Sequence, residues 1–288
     1  MKKEFKITNE IISLLESYLV KPSCGLKNIY KNLIEYFERA QGYEKMPTDA
    51  QIKELQKILL ANKLNTNDLK NEFTYLHYED IRTLAIDFPF SLEFGKRDTI
   101  MICAMDSLPP NNFQNDLDKK NIQAWVPFSL IDNWNYQKGS AKANSKFFKI
   151  LFEKYNLYVT DIYKVFFREG PNGTDKRSNQ NSKYTNDLIH VHKKILRKEI
   201  TLIKPKVIIT LGNRSRDAIL KFTNQTAQKW GDDIQSYNWI DDKTKIISIP
   251  HISGSANGAK SKIIKSLRYS HINGSQNEKL AKVIIENL

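Results

Sequence analysis

The chain has 288 residues, enough for one large domain or two smaller ones, and 40% of them are hydrophobic, which excludes wholesale disorder. Lys and Arg total 45 against 32 Asp and Glu, a formal net charge of +13, so the favoured partner is a polyanion, nucleic acid first and an anionic membrane surface second. Only Cys24 and Cys103 are present, too few for a Cys₄ zinc or iron–sulfur site and consistent with a reducing, cytoplasmic setting without disulfides.

The N-terminal lysines and the apolar residues after them resemble a signal peptide only superficially. Glu10 and Glu16 interrupt the run and no small-residue cleavage site follows. Ile11, Ile12, Leu14, Leu15, Tyr18 and Leu19 instead line one helix face, and Pro22 ends that helix. A second stripe runs through Ile29, Leu33, Ile34 and Phe37. Ile52, Leu55, Ile58 and Leu59 predict a third helix over Thr48–Leu64, and a fourth is expected from Asn67 to about Ile86. Residues 1–95 therefore read as a helical N-terminal region without a catalytic constellation. No segment reaches the roughly 18 apolar residues of a membrane span.

From residue 96 the texture changes. Thr99–Met105, Leu157–Tyr163, Lys206–Leu211 and Lys245–Ile249 are short apolar runs of the kind found in buried parallel strands. Helices are expected over Leu188–Ile203 and Ser215–Thr223. Ser275-x-x-Glu278 is a capping box opening a C-terminal helix to Leu288. Polar loops are expected over Arg168–Tyr184 and within Gly254–Gly274. The predicted fold is α/β: a central, mainly parallel four-stranded sheet flanked by helices over residues 96–288, preceded by the helical region.

Ligands of such sheets bind beyond the carboxyl ends of the strands. Asp106 follows the first predicted strand, Asp161 lies in the second, Gly212 opens a helix after the third and His251 follows the fourth. A helix N-terminus offers N–H groups to a phosphate. Each residue also has a plainer use. Asp106 could cap the turn before Pro109, His251 could be a satisfied loop histidine, and Gly212 could serve only the turn. A lone carboxylate in an apolar strand, such as Asp161, is harder to explain structurally. His190 and His192 point to different faces of one helix and do not make a metal pair.

In order, these segments resemble the uracil-DNA glycosylase superfamily over roughly the last 190 residues. Ala104-Met105-Asp106-Ser107-Leu108 stands where the family has a Gly-Gln-Asp-Pro-Tyr-like motif, and keeps only its aspartate. Phe128-Ser129 matches a Phe-Ser pair, Asp161 replaces a base-reading Asn, Leu202–Gly212 matches a Lys-Pro-x-Val-like strand ending in Gly, and His251-Ile252-Ser253 matches a His-Pro-Ser loop. The resemblance implies a DNA glycosylase acting on duplex or single-stranded DNA, with no metal, cofactor or obligate protein partner.

By the same resemblance, Asp106 and His251 are the catalytic residues, and Leu108, Phe128 and Asp161 bind the flipped base. Phe128, close to Trp125 in an apolar run, could instead be core. Ser107, Gly212, Ser215, Ser253, Ser255, Lys260 and Lys262 are expected at DNA phosphates, with Lys265 and Arg268 adding general attraction. A solvated basic face is the plainer reading of those cations. No lysine is placed for a Schiff base, so a monofunctional enzyme that leaves an abasic site is expected.

Two departures bear on the substrate. An ionised Asp161 only accepts hydrogen bonds, which suits the exocyclic amine of a cytosine. Leu108 replaces a tyrosine that blocks carbon 5 of the pyrimidine. Together they point to a 5-substituted base, such as hydroxymethylated or glucosylated cytosine of phage DNA, and so to anti-phage defence. Uracil repair and a non-catalytic DNA-binding module on the same fold are the alternatives. Ser255, Ala256 and Asn257 stand where the family carries a large apolar wedge.

Overall fold

The computed structural model describes residues 4–6, 8–21, 25–41, 50, 63–65, 70, 81–106, 121–125, 139–169, 176–177, 188–239, 244–253 and 256–288. Their strands are β1 (Glu4–Lys6), β2 (Lys63–Asn65), β3 (Ile81–Asp87), β4 (Phe90–Glu93), β5 (Thr99–Asp106), β6 (Asn121–Trp125), β7 (Asn156–Tyr163), β8 (Val165–Glu169), β9 (Lys176–Arg177), β10 (Val207–Leu211), β11 (Gln235–Asn238) and β12 (Lys245–Ile249). The helices are α1 (Asn9–Leu19), α2 (Leu26–Gln41), α3 (Gly139–Lys154), α4 (Ile189–Ile203), α5 (Gly212–Thr223), α6 (Asn257–Ile264) and α7 (Gln276–Glu286).

The main sheet has the order β1-β4-β7-β5-β10-β12-β11. Its centre, β7-β5-β10-β12, is parallel throughout and consists of the four strands predicted from sequence. Nearly every residue of these strands is buried, in keeping with their largely apolar sequences. Three antiparallel strands extend the edges: β4 and β1 beyond β7, and β11 beyond β12. From β5 the chain crosses first to β7 on one side and then to β10 on the other. The switch point of the sheet therefore lies between β5 and β10.

A second sheet, β2-β6-β3-β8-β9, adjoins the first. Two segments belong to both: β3 leads into β4, and β7 into β8 through Lys164. The expected helix from Asn67 to Ile86 is thus corrected, because Ile81–Asp87 is a strand. Ile81, Thr83 and Ile86 are β-branched, and pairing with β6 and β8 satisfies this backbone through partners distant in sequence. Of the expected third helix, residues 63–65 form β2 and residues 51–62 lie outside the described residues. The N-terminal region also supplies β1 and β4 to the main sheet, and among the described residues its helical reading holds for α1 and α2. Thr8 caps α1, its hydroxyl accepting the Ile11 N–H at 3.3 Å, and α1 packs its predicted apolar face on α4.

Toward the C-terminus the capping box is present, with the Ser275 N–H donating to Glu278 Oε2 at 2.7 Å. The loop expected within 254–274 contains helix α6, because Ile263 and Ile264 need a buried face. Of the expected loop 168–184, Arg168 and Glu169 end β8, Lys176–Arg177 form β9, and the remaining residues lie outside the described residues. Among the described residues no helix is long and apolar enough to cross a membrane.

Where β7 turns into β8, a fully buried ionic cluster joins the two sheets. Lys164 Nζ lies 2.9 Å from Asp87 Oδ2 and 2.7 Å from Glu199 Oε2, and all three side chains are inaccessible to solvent. Thr160 donates to Asp87 Oδ2 at 2.8 Å, and Tyr158 donates to Glu199 Oε1 at 2.8 Å. Burial pushes both carboxyls above their ordinary pKa and Lys164 pulls them part of the way back. Burial alone would lower the lysine's pKa, but the two carboxylates outweigh it and hold the ammonium charged. His192 completes the cluster by accepting the Lys164 N–H at Nδ1, 3.2 Å away. Burial, reinforced by Lys164 and His190, lowers its pKa from 6.5 to about 3, so the ring is neutral.

Removing the lysine leaves two buried carboxyls without their cation. Lys164→Met is expected to cost about 3–5 kcal/mol in urea unfolding. His192 sets an acid limit. Between pH 6.5 and about 3 the unfolded chain takes up a proton that the folded ring refuses. Stability therefore falls with falling pH, by about 1.4 kcal/mol per pH unit from this group. His192→Asn, which keeps an acceptor, should flatten the unfolding free energy by that amount over the window.

Candidate active site

The switch point fixes which loops meet. Asp106 ends β5 and is in register with Tyr163, while Asp161 is in register with Ala104. Asp106 and Asp161 thus occupy same-parity positions on neighbouring strands, with Asp161 about 7 Å deeper along the strand direction. Asp161 is fully buried, and its N–H donates to Asp87 Oδ2 at 3.1 Å, which ties this position to the ionic cluster. The side chain of Asp106 lies outside the described residues, as do Ser107, Leu108, Phe128 and Ser255.

On the other side of the switch, β10 passes directly into α5, three residues earlier than expected. Gly212 makes the corner with φ of +88°. A Cβ here would stand 3.0 Å from Cβ of His251 and 3.5 Å from its Cδ2. Glycine is therefore required twice, for the backbone conformation and for the approach of the histidine. Ser215 is fully buried and its hydroxyl donates to Leu211 O at 2.5 Å and Gly212 O at 3.2 Å. Ser215 is expected at a phosphate; in the structure its hydroxyl instead braces the corner.

The half-buried His251 follows β12. Its Nδ1 accepts the Ser253 N–H at 3.1 Å and lies 2.8 Å from Ser253 Oγ. An acceptor at Nδ1 assigns the ring proton to Nε2. Burial, with the nearby Lys260 ammonium second, lowers the pKa of His251 below its ordinary 6.5. The ring is a neutral donor near pH 7, able to offer a hydrogen bond to an oxygen that gains charge.

Lys260 was expected at a phosphate and is found elsewhere. It is 2% exposed, and its ammonium donates to Ile252 O at 3.1 Å, Ser253 O at 3.0 Å and Asn277 Oδ1 at 3.1 Å. Sequence reasoning missed this pairing because Asn277 lies on another helix. Lys262 and Lys265 are exposed, and Arg268 is exposed while bonded to Asp233 and Asn287. A cleft lined by Lys193, Arg197, Asn224 and Trp239 lies at the opposite end of the sheet, where α5 finishes.

The Uracil DNA glycosylase superfamily model matches residues 112–270, more than half of the chain. The chain belongs to the uracil DNA glycosylase superfamily. Members of this superfamily are DNA glycosylases and act on DNA. The match takes in Phe128, Asp161, Gly212, His251 and Lys260, and begins beyond Asp106. Comparison with the curated proteins finds no match.

The glycine corner yields a direct test. Gly212→Ala should lose about 2 kcal/mol of stability from the positive φ. It should also shift the NMR resonances of the His251 imidazole, whereas a substitution at exposed Asn224 should leave them in place.

Proposed function

We propose that this superfamily member hydrolyses the N-glycosidic bond of a flipped, 5-substituted cytosine and leaves an abasic site. Hydroxymethylated or glucosylated cytosine of phage DNA is the substrate class, and defence against phage in the cytoplasm is the role. The observation that carries the reading is His251, neutral, held at Nδ1 by Ser253, and seated against Gly212 at the carboxyl edge of the sheet.

A base inside a duplex is out of reach, so the nucleotide is extruded or single-stranded DNA is used. Phe128 stacks on the extruded base. As the bond from C1′ to the base nitrogen breaks, its electron pair goes to the base and the sugar becomes oxocarbenium-like. His251 Nε2–H stabilises the charge gathering on the base oxygen. Asp106 stabilises the sugar cation and orients water, whose oxygen bonds to C1′ while its proton passes to the carboxylate. The base departs as an anion and is protonated by solvent. The chain needs no cofactor for these steps.

Asp161 and Leu108 set the substrate. A carboxylate in place of an amide accepts from the exocyclic amine of cytosine and repels the oxygen that uracil carries there. Leucine in place of tyrosine leaves room at carbon 5. Ser107, Ser253, Ser255 and the exposed Lys262 engage flanking phosphates, and the backbone at Gly212 joins them.

The test is release of free base from matched DNA carrying uracil, cytosine, 5-hydroxymethylcytosine or its glucosylated form. Release is expected from the modified cytosines and not from uracil. Asp106→Asn and His251→Ala should each lower kcat by about 10²–10³-fold. Asp161→Asn should move preference toward uracil. Because the pKa of His251 is depressed, activity should persist as pH drops through 6.5 and fail only below it. Release of uracil alone would keep the enzyme class and discard the substrate. Release of nothing, with DNA still bound, would favour a binding module.

A further inference from the structure

We propose that Lys260, with Asn277, is a positioning residue that holds the His251–Ser253 turn from beneath. The inference rests on the role given above to His251. A buried ammonium is costly unless each of its three hydrogens finds an acceptor. Lys260 meets that requirement with Ile252 O, Ser253 O and Asn277 Oδ1. Two of these are the carbonyls that immediately follow His251 in the chain. Asn277 Nδ2 binds the Ile252 carbonyl again at 3.0 Å, so that carbonyl is held from both α6 and α7. Ile252 is buried, which prevents the turn from relaxing outward.

Asn277 is itself fixed. It lies in the first turn of α7, which the Ser275–Glu278 capping box starts at a defined residue. Glu278 also pairs with Lys146 of α3 at 3.1 Å. The imidazole is therefore bounded by Gly212 on one side and by a braced turn on the other.

Lys260 also contributes charge. Its acceptors are neutral, so its positive charge is not cancelled where it acts on His251. Among the described residues, α5 faces the ring with Gly212, the turn faces it with Ser253, α7 reaches the turn through neutral Asn277, and Lys260 is a charged group acting on it. This cation opposes protonation of the ring. A protonated ring would have N–H at Nδ1, facing the Ser253 N–H, and would give up that bond, keeping only the Ser253 Oγ contact.

The experiment compares Lys260→Met, Asn277→Leu and Lys262→Ala in the full chain. Circular dichroism and thermal melting establish folding, and Lys260→Gln replaces Lys260→Met if the latter does not fold. NMR titration of His251 in the free protein should give a higher pKa in Lys260→Met and a nearly unchanged one in Asn277→Leu. On the substrate that the wild type cleaves, Lys260→Met should lower kcat about 10–100-fold with little change in KM. Its acid limb should move to higher pH, and in Asn277→Leu kcat should fall without that movement.

Salt dependence of DNA binding separates positioning from phosphate contact. The log–log slope should drop by about one in Lys262→Ala and stay at the wild-type value in Lys260→Met. A reduced slope in Lys260→Met, or an unchanged His251 titration, overturns the inference. If the wild type releases no base, the proposed function falls, while the His251 titration and the salt slope still decide the part played by Lys260.

Discussion

A charged lysine sealed inside the protein holds two sheets together. Lys164 sits where β7 leaves one sheet and becomes β8 in the other, and its two carboxylate partners come from β3 and α4. Desolvating such a cluster costs more than a surface ion pair returns, so its value is in specifying an arrangement. In this arrangement the ammonium meets Asp87, Glu199 and Thr160 at once. The Asp87 oxygen that binds Lys164 also accepts the Asp161 N–H, which extends the constraint to the strand at the candidate site.

The rest of the site follows from the order of the sheet. Crossing to both sides of β5 places the switch point between the carboxyl ends of β5 and β10. The loop after β12 then reaches the same edge and presses His251 against a residue with no side chain. Gly212, Ser215, Ser253, Lys260 and Asn277 form a scaffold around one imidazole, and most of that scaffold is neutral. Positive charge is therefore divided: one buried cation acts on the histidine, and exposed cations such as Lys262 and Lys265 face solvent.

The parallel core was legible in the sequence because strands buried on both faces are predominantly apolar on alternate and adjacent positions alike. Val207–Leu211 and Lys245–Ile249 are bounded by residues that end such runs. The capping box at Ser275 was legible for a similar reason, since its hydrogen bonds are local. Strand β3 was not, because what decides Ile81–Asp87 is pairing with β6 and β8, elsewhere in the chain. Within the site, the convergence of Gly212 and His251 on one edge was legible, but their direct contact was not, because it depends on β10 and β12 being neighbours in the sheet. Nor was the burial of Lys260: a lysine among lysines looks solvated until Asn277, from a separate helix, is placed beside it.

The bond from Ser253 N–H into His251 Nδ1 has a chemical corollary. A ring held in one tautomer, and kept neutral, lends a hydrogen bond but does not hand over a proton. On the proposed mechanism the departing base must then bear its own negative charge. Among bases that fit the pocket, cleavage would follow leaving-group acidity, and electron-withdrawing groups at carbon 5 would speed release through the ring's electronics as well as through contact with the protein.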